Sequence, residues 1–334
     1  MKNIILILTI FTCFLACSQK QENIMQNPNI TEDNIVDEIT KEIKHYSKEP
    51  VYLLEYESYY CHVEVFVNNI PVFKQFSKPL TSSAFDISQA FLKNGKQKVT
   101  YKMYPVGKIE GQNEDFSTLK DISYLKFTLI TDDKNASSGS MGNNIMEYKT
   151  PSTEVKISEG YSEQKFVGAG KTYYEGSFDI NVDVPYNLNP PFENAQDLRK
   201  LDKKELESKL LKKYKEVWEI YQNKELDNIA KIEYNSFKDL FVAGYDSKEI
   251  IEENMKVFYD AYKSSSFEMQ PIEKYKLEFF ADGKMVALML DTADNRFRGN
   301  TALWAKVDYD GGMRPLFLNR YFYIPQGETE FKVY

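Results

Sequence analysis

Hydrophobic positions along this 334-residue chain change their period several times. From Ile4 to Leu15 they are nearly continuous, broken by Thr9, Thr12 and Cys13. From Ser18 to about Asn34, Gln, Asn, Glu and Lys dominate around isolated Ile24, Met25 and Ile30, too little apolar surface to order a segment by itself. A tether is predicted there. Ile35, Val36, Ile39 and Ile43 then fall at helical spacing, which predicts a short amphipathic helix within residues 35–47, or more linker.

From Val51 onward the period shortens to two. Val51 to Tyr60, Cys61 to Val67, Pro71 to Phe76, Gln97 to Tyr104, Ser123 to Thr131, Glu154 to Ser158 and Thr172 to Val184 are rich in Val, Ile, Tyr, Phe and Thr, and read as strands. Asn68-Asn69 can supply the positive φ angles of a tight hairpin. Asp86 to Asn94 reads as a helical interruption closed by Gly95, and Asn135 to Asn144 as a surface loop. Many strands at short spacing predict an antiparallel β-sandwich over residues 50–186.

Pro185, Pro190 and Pro191 end that pattern, so residues 187–200 are predicted to link two domains. Three helical stripes follow: Leu206, Leu210, Tyr214, Val217, Trp218 and Tyr221 after a capping Asp202; Ile229, Ala230, Phe237, Leu240 and Phe241 before Gly244; and Ile250, Ile251, Val257, Phe258, Ala261 and Tyr262 after Asp246. Beyond Ser264-Ser265-Ser266, five apolar runs separated by Asp282-Gly283, Asp310-Gly311-Gly312 and Gln326-Gly327 read as an antiparallel meander. Residues 201–334 are thus predicted to be an α+β domain of about three helices packed on a sheet, and the whole fold mainly β plus α+β.

Composition narrows the partners. The net charge of −8 disfavours nucleic acid and anionic headgroups. Of three cysteines, Cys13 and Cys17 stand in the leading segment and Cys61 is left without an intramolecular partner, so no disulfide framework is expected. Lys2 followed by an apolar run too short to span a bilayer is a secretory signal. Its end, Phe14-Leu15-Ala16-Cys17, resembles the lipobox of bacterial lipoproteins, with Phe14 where Leu is usual. That resemblance implies removal of residues 1–16, diacylglyceryl and acyl (palmitate-type) modification of Cys17, and a membrane-held mature chain whose residues 17–49 form the tether. Ser18 after the cysteine resembles the pattern of outer-membrane retention, which places the protein in the bacterial cell envelope.

Two further resemblances concern the fold. Val63 to Val72, Phe85-Asp86-Ile87-Ser88, Leu92-Lys93-Asn94-Gly95-Lys96-Gln97 and Lys98 to Met103 are similar to galactose-binding-like β-sandwiches, with Asn69 and Gln97 departing from the usual Gly and Asn. The helices-then-meander order of residues 201–334 resembles nuclear-transport-factor-2-like folds, without a strand between the second and third helices.

Chemistry is sparse. Cys61 and His62 are neighbours on a strand and point to opposite faces, so they form no dyad; a buried thiol and a surface imidazole are expected. Gly168-Ala169-Gly170-Lys171-Thr172 lacks the first glycine and the following helix of a phosphate loop. Asp291-Thr292-Ala293-Asp294-Asn295 lacks calcium-loop spacing and is followed by Arg296 and Arg298, which favours a turn with local salt links. No catalytic, cofactor or metal residues are named. On the strand around Trp304, Leu303, Ala305 and Val307 read as core, which leaves Trp304, Lys306 and Asp308 as a candidate interaction surface on an open sheet face. The expected role is a non-enzymatic binding or protein-interaction lipoprotein whose partners are the membrane, through its lipid, and an envelope protein, a glycan or a toxin. The alternative is an enzyme with a pocket in the C-terminal domain.

Each buried methylene adds about 0.8 kcal/mol of membrane affinity, so multiple acyl chains on Cys17 anchor stably. Cys17→Ala is therefore expected to leave the precursor uncleaved or move the protein to the soluble fraction. Unchanged processing and fractionation on a membrane flotation gradient would refute the anchor.

Overall fold

The computed structural model describes residues 24–334 apart from 110, 112, 114, 137–141 and 310. Cys17 and the signal-like segment lie outside the described residues, as do Ser137 to Met141 of the loop. The first half carries α1 (Ile35–Glu42), β1 (Pro50–Tyr59), β2 (His62–Val67), β3 (Ile70–Gln75), β4 (Leu80–Asp86), β5 (Gly95–Tyr104), the short β6 (Gly107–Lys108) and β7 (Asp115–Phe116), β8 (Tyr124–Asp133), β9 (Asn143–Lys149), β10 (Ser152–Ser158), β11 (Tyr161–Phe166) and β12 (Tyr174–Val182). The second half carries α2 (Lys203–Gln222), α3 (Leu226–Ala243), α4 (Lys248–Lys263), β13 (Glu268–Met269), β14 (Tyr275–Phe280), β15 (Met285–Leu290), β16 (Trp304–Tyr309), β17 (Gly312–Phe317), β18 (Phe322–Tyr323) and β19 (Lys332–Val333).

Two antiparallel sheets, ordered β4-β1-β8-β9 and β12-β5-β2-β3, enclose one core. Alternation decides what enters it: Leu54 and Tyr56 of β1, Val63, Val65 and Val67 of β2, and Val99, Tyr101 and Met103 of β5 are all buried there. Asn68 and Asn69 turn β2 into β3 at φ 50° and 60°. The expected helix over 86–94 is a single 3₁₀ turn, Ser88–Ala90. Its residues are tied elsewhere, since Ser88 Oγ accepts the Tyr52 N–H and Ser88 C=O accepts the Tyr186 hydroxyl. Strands β4, β9 and β11 were not expected. They expose most of their residues, so no apolar alternation announces them.

In the C-terminal half, Asp202 caps α2 by accepting from Lys204 and Glu205 N–H at 3.0 and 2.9 Å. Ser247, not Asp246, caps α4. The inward stripe of α4 is Ile251, Met255, Tyr259 and Tyr262; Ile250 and Val257, read as inward, are exposed. The helix is rotated so that Tyr262 and Phe258 meet Tyr221 and Phe237. The meander is split into two sheets, β14-β15-β18-β19 and β13-β16-β17.

Strand β15 is buried on both faces, and each face belongs to a different core. Val286 and Leu288 pack under the helices with Leu210, Tyr214 and Val217. Met285, Ala287 and Met289 pack with Phe66 of β2, Phe280 of β14 and Tyr323 of β18. Helices, C-terminal sheet and the two sandwich sheets are therefore stacked as four layers. The chain is mainly β plus α+β, as the patterning predicts.

Two segments expected to be loose connectors are packed. In residues 187–200, Leu188 enters the sandwich core, Phe192 the sheet–sheet contact and Leu198 the helical core. In the polar N-terminal stretch, Ile24 and Ile30 join Ile35 and Ile39 of α1 in the helical core, against α3 and α4. The stretch is too polar to order itself, and packing against the helical core orders it. The Gln26 amide completes the docking: its Oε1 accepts the Val333 N–H at 2.8 Å and its Nε2 donates to the Val333 carbonyl at 3.1 Å. One side chain thus satisfies a residue of the short strand β19, which ends its sheet.

Ile39 is fully buried on α1. Ile39→Ala is expected to lower stability by about 2–4 kcal/mol in urea unfolding. A midpoint equal to that of the parent chain would show that α1 is not part of the cooperative fold.

Candidate functional site

The outer face of the sheet β12-β5-β2-β3 is where sequence and structure part most. Strand β2 sends Val63, Val65 and Val67 inward and His62, Glu64 and Phe66 outward, and the outward residues meet the C-terminal domain. Register places Glu64 between Lys74 of β3 and Lys102 of β5, a Lys–Glu–Lys row across three strands. Opposite-charge cross-strand pairs of this kind support one another. Lys276, Glu278 and Phe280 alternate along β14, and Glu278 and Phe280 share a cavity with Glu64 and Phe66.

The sheets do not close completely on each other. Two adjoining cavities remain, of about 400 and about 310 Å³. The first is largely apolar, with Phe66, Ile70, Phe280 and Met289 in its walls. The second is polar, with Lys102, Tyr104, Lys276, Asp291 and Arg298. Glu64, Glu278, Met289 and Gly299 line both and form the waist between them.

The waist and polar lobe are held by the loop after β15. Arg298 lies over Phe76 and Tyr104, 4.3 and 4.8 Å from the ring centroids, and Nη1 donates to Asn295 Oδ1 at 3.3 Å. Desolvation pulls its pKa down, against the pull of Tyr104 and Glu64. Lys74 Nζ donates to Gly299 C=O at 2.6 Å and to Asn300 Oδ1, and burial lowers its pKa to about 8. Gly299 has φ +69°, and a Cβ there would stand 2.8 Å from Lys74 Cδ and 2.9 Å from Glu64 Oε1. Only glycine fits.

Valences remain open. Tyr104 donates to Glu64 Oε2 at 2.6 Å, while Glu64 Oε1 accepts no hydrogen bond among the described residues. Lys276 holds Glu278 Oε1 at 2.8 Å and leaves Oε2 in the same position. Lys102 Nζ sits 4.5 Å from the Phe66 centroid. Neither Lys102 nor Arg298 has a carboxylate within 4.0 Å among the described residues. Tyr321 lines the first cavity together with both acids, and burial and their charges raise its pKa.

The residues singled out in the sequence lie elsewhere or behave differently. Trp304 is half-buried against Phe297 at 5.2 Å and Phe317 at 6.1 Å, while Lys306 and Asp308 are exposed on β16, outside the cleft. Cys61 is buried in the sandwich core, its thiol pushed up to about 12 by desolvation and aimed at the Tyr124 carbonyl. His62 is not on the surface: it is 3% exposed, between Phe76 and Asn295, because the C-terminal domain covers its face. Gly168 to Thr172 is a turn, with Gly170 at φ +80°. In the Asp291–Asn295 stretch Asp294 is held by Arg296 as expected, but Asn295 reaches His62 across the domain boundary. Between helices and sheet of the C-terminal half, Arg320 and Tyr221 both bond the buried Glu233 carboxylate. Among the described residues no three His, Cys, Asp or Glu side chains are grouped to hold a metal, and no helix is long and apolar enough to cross a membrane. Comparison with family models, curated proteins and solved structures finds no match to this chain.

His62 makes the domain contact sensitive to pH. Desolvation, with a smaller push from Arg298, lowers its pKa from 6.5 to about 4. A depressed folded pKa gives stability that is complete above pH 6.5 and lost as pH falls through about 4, roughly 3 kcal/mol in all. Denaturant unfolding across that window is expected to fall more steeply for the parent chain than for His62→Gln. Parallel curves would mean that the imidazole titrates alike in folded and unfolded chains.

Proposed function

We propose that this chain is a lipid-anchored envelope lipoprotein whose folded part is a binding module, with the interdomain cleft as its ligand site. The lipobox-like Phe14 to Cys17 supports the anchor. One observation carries the binding site: Glu64, Lys102, Glu278 and Arg298 come from both domains, converge on one cavity system and keep unused hydrogen-bonding capacity there. Concave, partly apolar sites with a few convergent polar groups are the usual form of a small-ligand site. The cleft has the size and preorganisation for binding, and the chain's described thiol is turned away from it with a raised pKa. An open surface such as that of Lys306 and Asp308 supplies neither enclosure nor convergence.

Native mass spectrometry of the full-length lipoprotein, purified in mild detergent from its own envelope, tests the site. A small molecule is expected to remain bound to the parent chain and to Lys306→Ala, and to be lost from Arg298→Gln. Retention by Arg298→Gln together with loss from Lys306→Ala would move the site to the β16 face and refute the cleft.

A further inference from the structure

The chemistry of the cleft also selects among ligands. Resting on the binding reading, we propose that the cleft takes a short peptide of two or three residues with free termini and at least one apolar side chain.

The order of groups along the cavity is the argument. An apolar lobe walled by Phe66, Ile70 and Phe280 leads to a waist with two carboxylates, Glu64 and Glu278, and then to a lobe with Arg298 and Lys102. Each carboxylate keeps one oxygen without a donor among the described residues, and each of the two cations lacks a carboxylate within 4.0 Å. All four side chains are half-buried in the cleft, so a ligand that brings both an ammonium and a carboxylate matches the charges it meets there. An ammonium at the waist meets Glu64 Oε1 and Glu278 Oε2. A carboxylate in the polar lobe meets the guanidinium of Arg298, which stacking on Phe76 and Tyr104 holds in place. The apolar side chain then occupies the first lobe.

Other ligand classes fit less well for reasons visible in the same residues. A sugar ring needs a bare aromatic face, and in the charged lobe the rings of Phe76 and Tyr104 carry Arg298. A phosphate dianion would meet Glu64, Glu278 and Asp291 in the polar lobe with twice the charge that a ligand carboxylate brings against Arg298 and Lys102. A fatty acid with its head at Arg298 would drag methylenes past the two waist carboxylates and strip their water. Lobes of about 400 and about 310 Å³ exceed what a single amino acid fills.

Isothermal titration of the full-length lipoprotein in detergent tests this with Ala-Phe, Ala-Leu and Ala-Val, their C-terminal amides, their N-acetyl forms, free phenylalanine and glucuronate. At least one dipeptide is expected to bind, and blocking either terminus is expected to weaken it by about tenfold or more, the worth of one charge-assisted contact. Arg298→Gln should bind a dipeptide and its amide alike, and Glu64→Gln a dipeptide and its acetyl form alike, both variants being checked for parental thermal unfolding. The terminal-blocking series needs no variant, so misfolding of either leaves the test intact. No binding by any dipeptide, indifference to blocked termini, or tighter binding of free phenylalanine overturns the proposal. Glucuronate binding that Arg298→Gln abolishes, with no peptide binding, overturns the ligand class while the cleft stands. A native ligand and peptides that both bind Arg298→Gln as tightly as the parent chain would instead sink the cleft itself.

Discussion

The structure depends on one contact: the face of a charged sheet laid against another sheet. The outer side of β12-β5-β2-β3 carries His62, Glu64, Phe66, Lys74 and Lys102, a composition suited to water, yet Phe66 and His62 are buried by the C-terminal domain. Taking charges out of water is affordable only where they are paired and hydrogen-bonded. The hydrogen bonding is visible in the Tyr104–Glu64 bond and in the Lys74 contacts to Gly299 and Asn300. Phe66, Met289 and Tyr323 pack between the sheets, and the cleft opens beside them, where Phe66 and Met289 form part of its wall.

That balance explains why the loop from Asp291 to Thr301 matters more than its sequence suggests. By itself it is a turn, with Asp294 clasped by Arg296. In the fold it is the clamp between domains, since Asn295 reaches His62, Arg298 stacks on Phe76 and Tyr104, and the Gly299 carbonyl holds Lys74. The positive φ of Gly299 and the atoms crowded around its Cα show how closely the two domains approach there. The lining of the polar cavity and the contact between the two halves of the chain thus draw on the same loop.

Legibility follows from which contacts are local. Alternation in β1, β2, β5 and β8, the Asn68-Asn69 turn and the Asp202 cap were readable because each is decided within a few residues. The α4 stripe rightly includes Ile251 and Tyr262 but takes in exposed Ile250 and Val257 and omits Met255 and Tyr259, because these residues are similarly apolar and only neighbouring aromatic rings choose between them. Edge strands β4 and β9 have no buried face to write into the sequence. The cleft was invisible for a stronger reason: Glu64 and Lys102 alternate with core valines and aromatics as solvent-facing residues do, and Glu64 stands more than 200 residues from Glu278. No local pattern records that a polar face will be covered from so far away. Trp304, Lys306 and Asp308 drew attention because a tryptophan beside charges is conspicuous, but its ring is spent on Phe297 and Phe317.

The N-terminal stretch obeys the same logic in reverse. Composition alone assigns residues 24–34 to a tether, since Ile24 and Ile30 cannot repay the backbone entropy of ordering eleven residues by themselves. The helical core supplies the missing surface, and Gln26 supplies what a neighbouring strand would have given β19. The segment that leads toward Cys17 is therefore fastened to the helical layer and to β19, while the cleft opens between the C-terminal sheet and the sandwich, on the far face of β15. Ile24, Ile30, Ile35 and Ile39 thus pack in the core on one face of β15, and Phe66 and Met289 of the cavity wall pack in the core on the other.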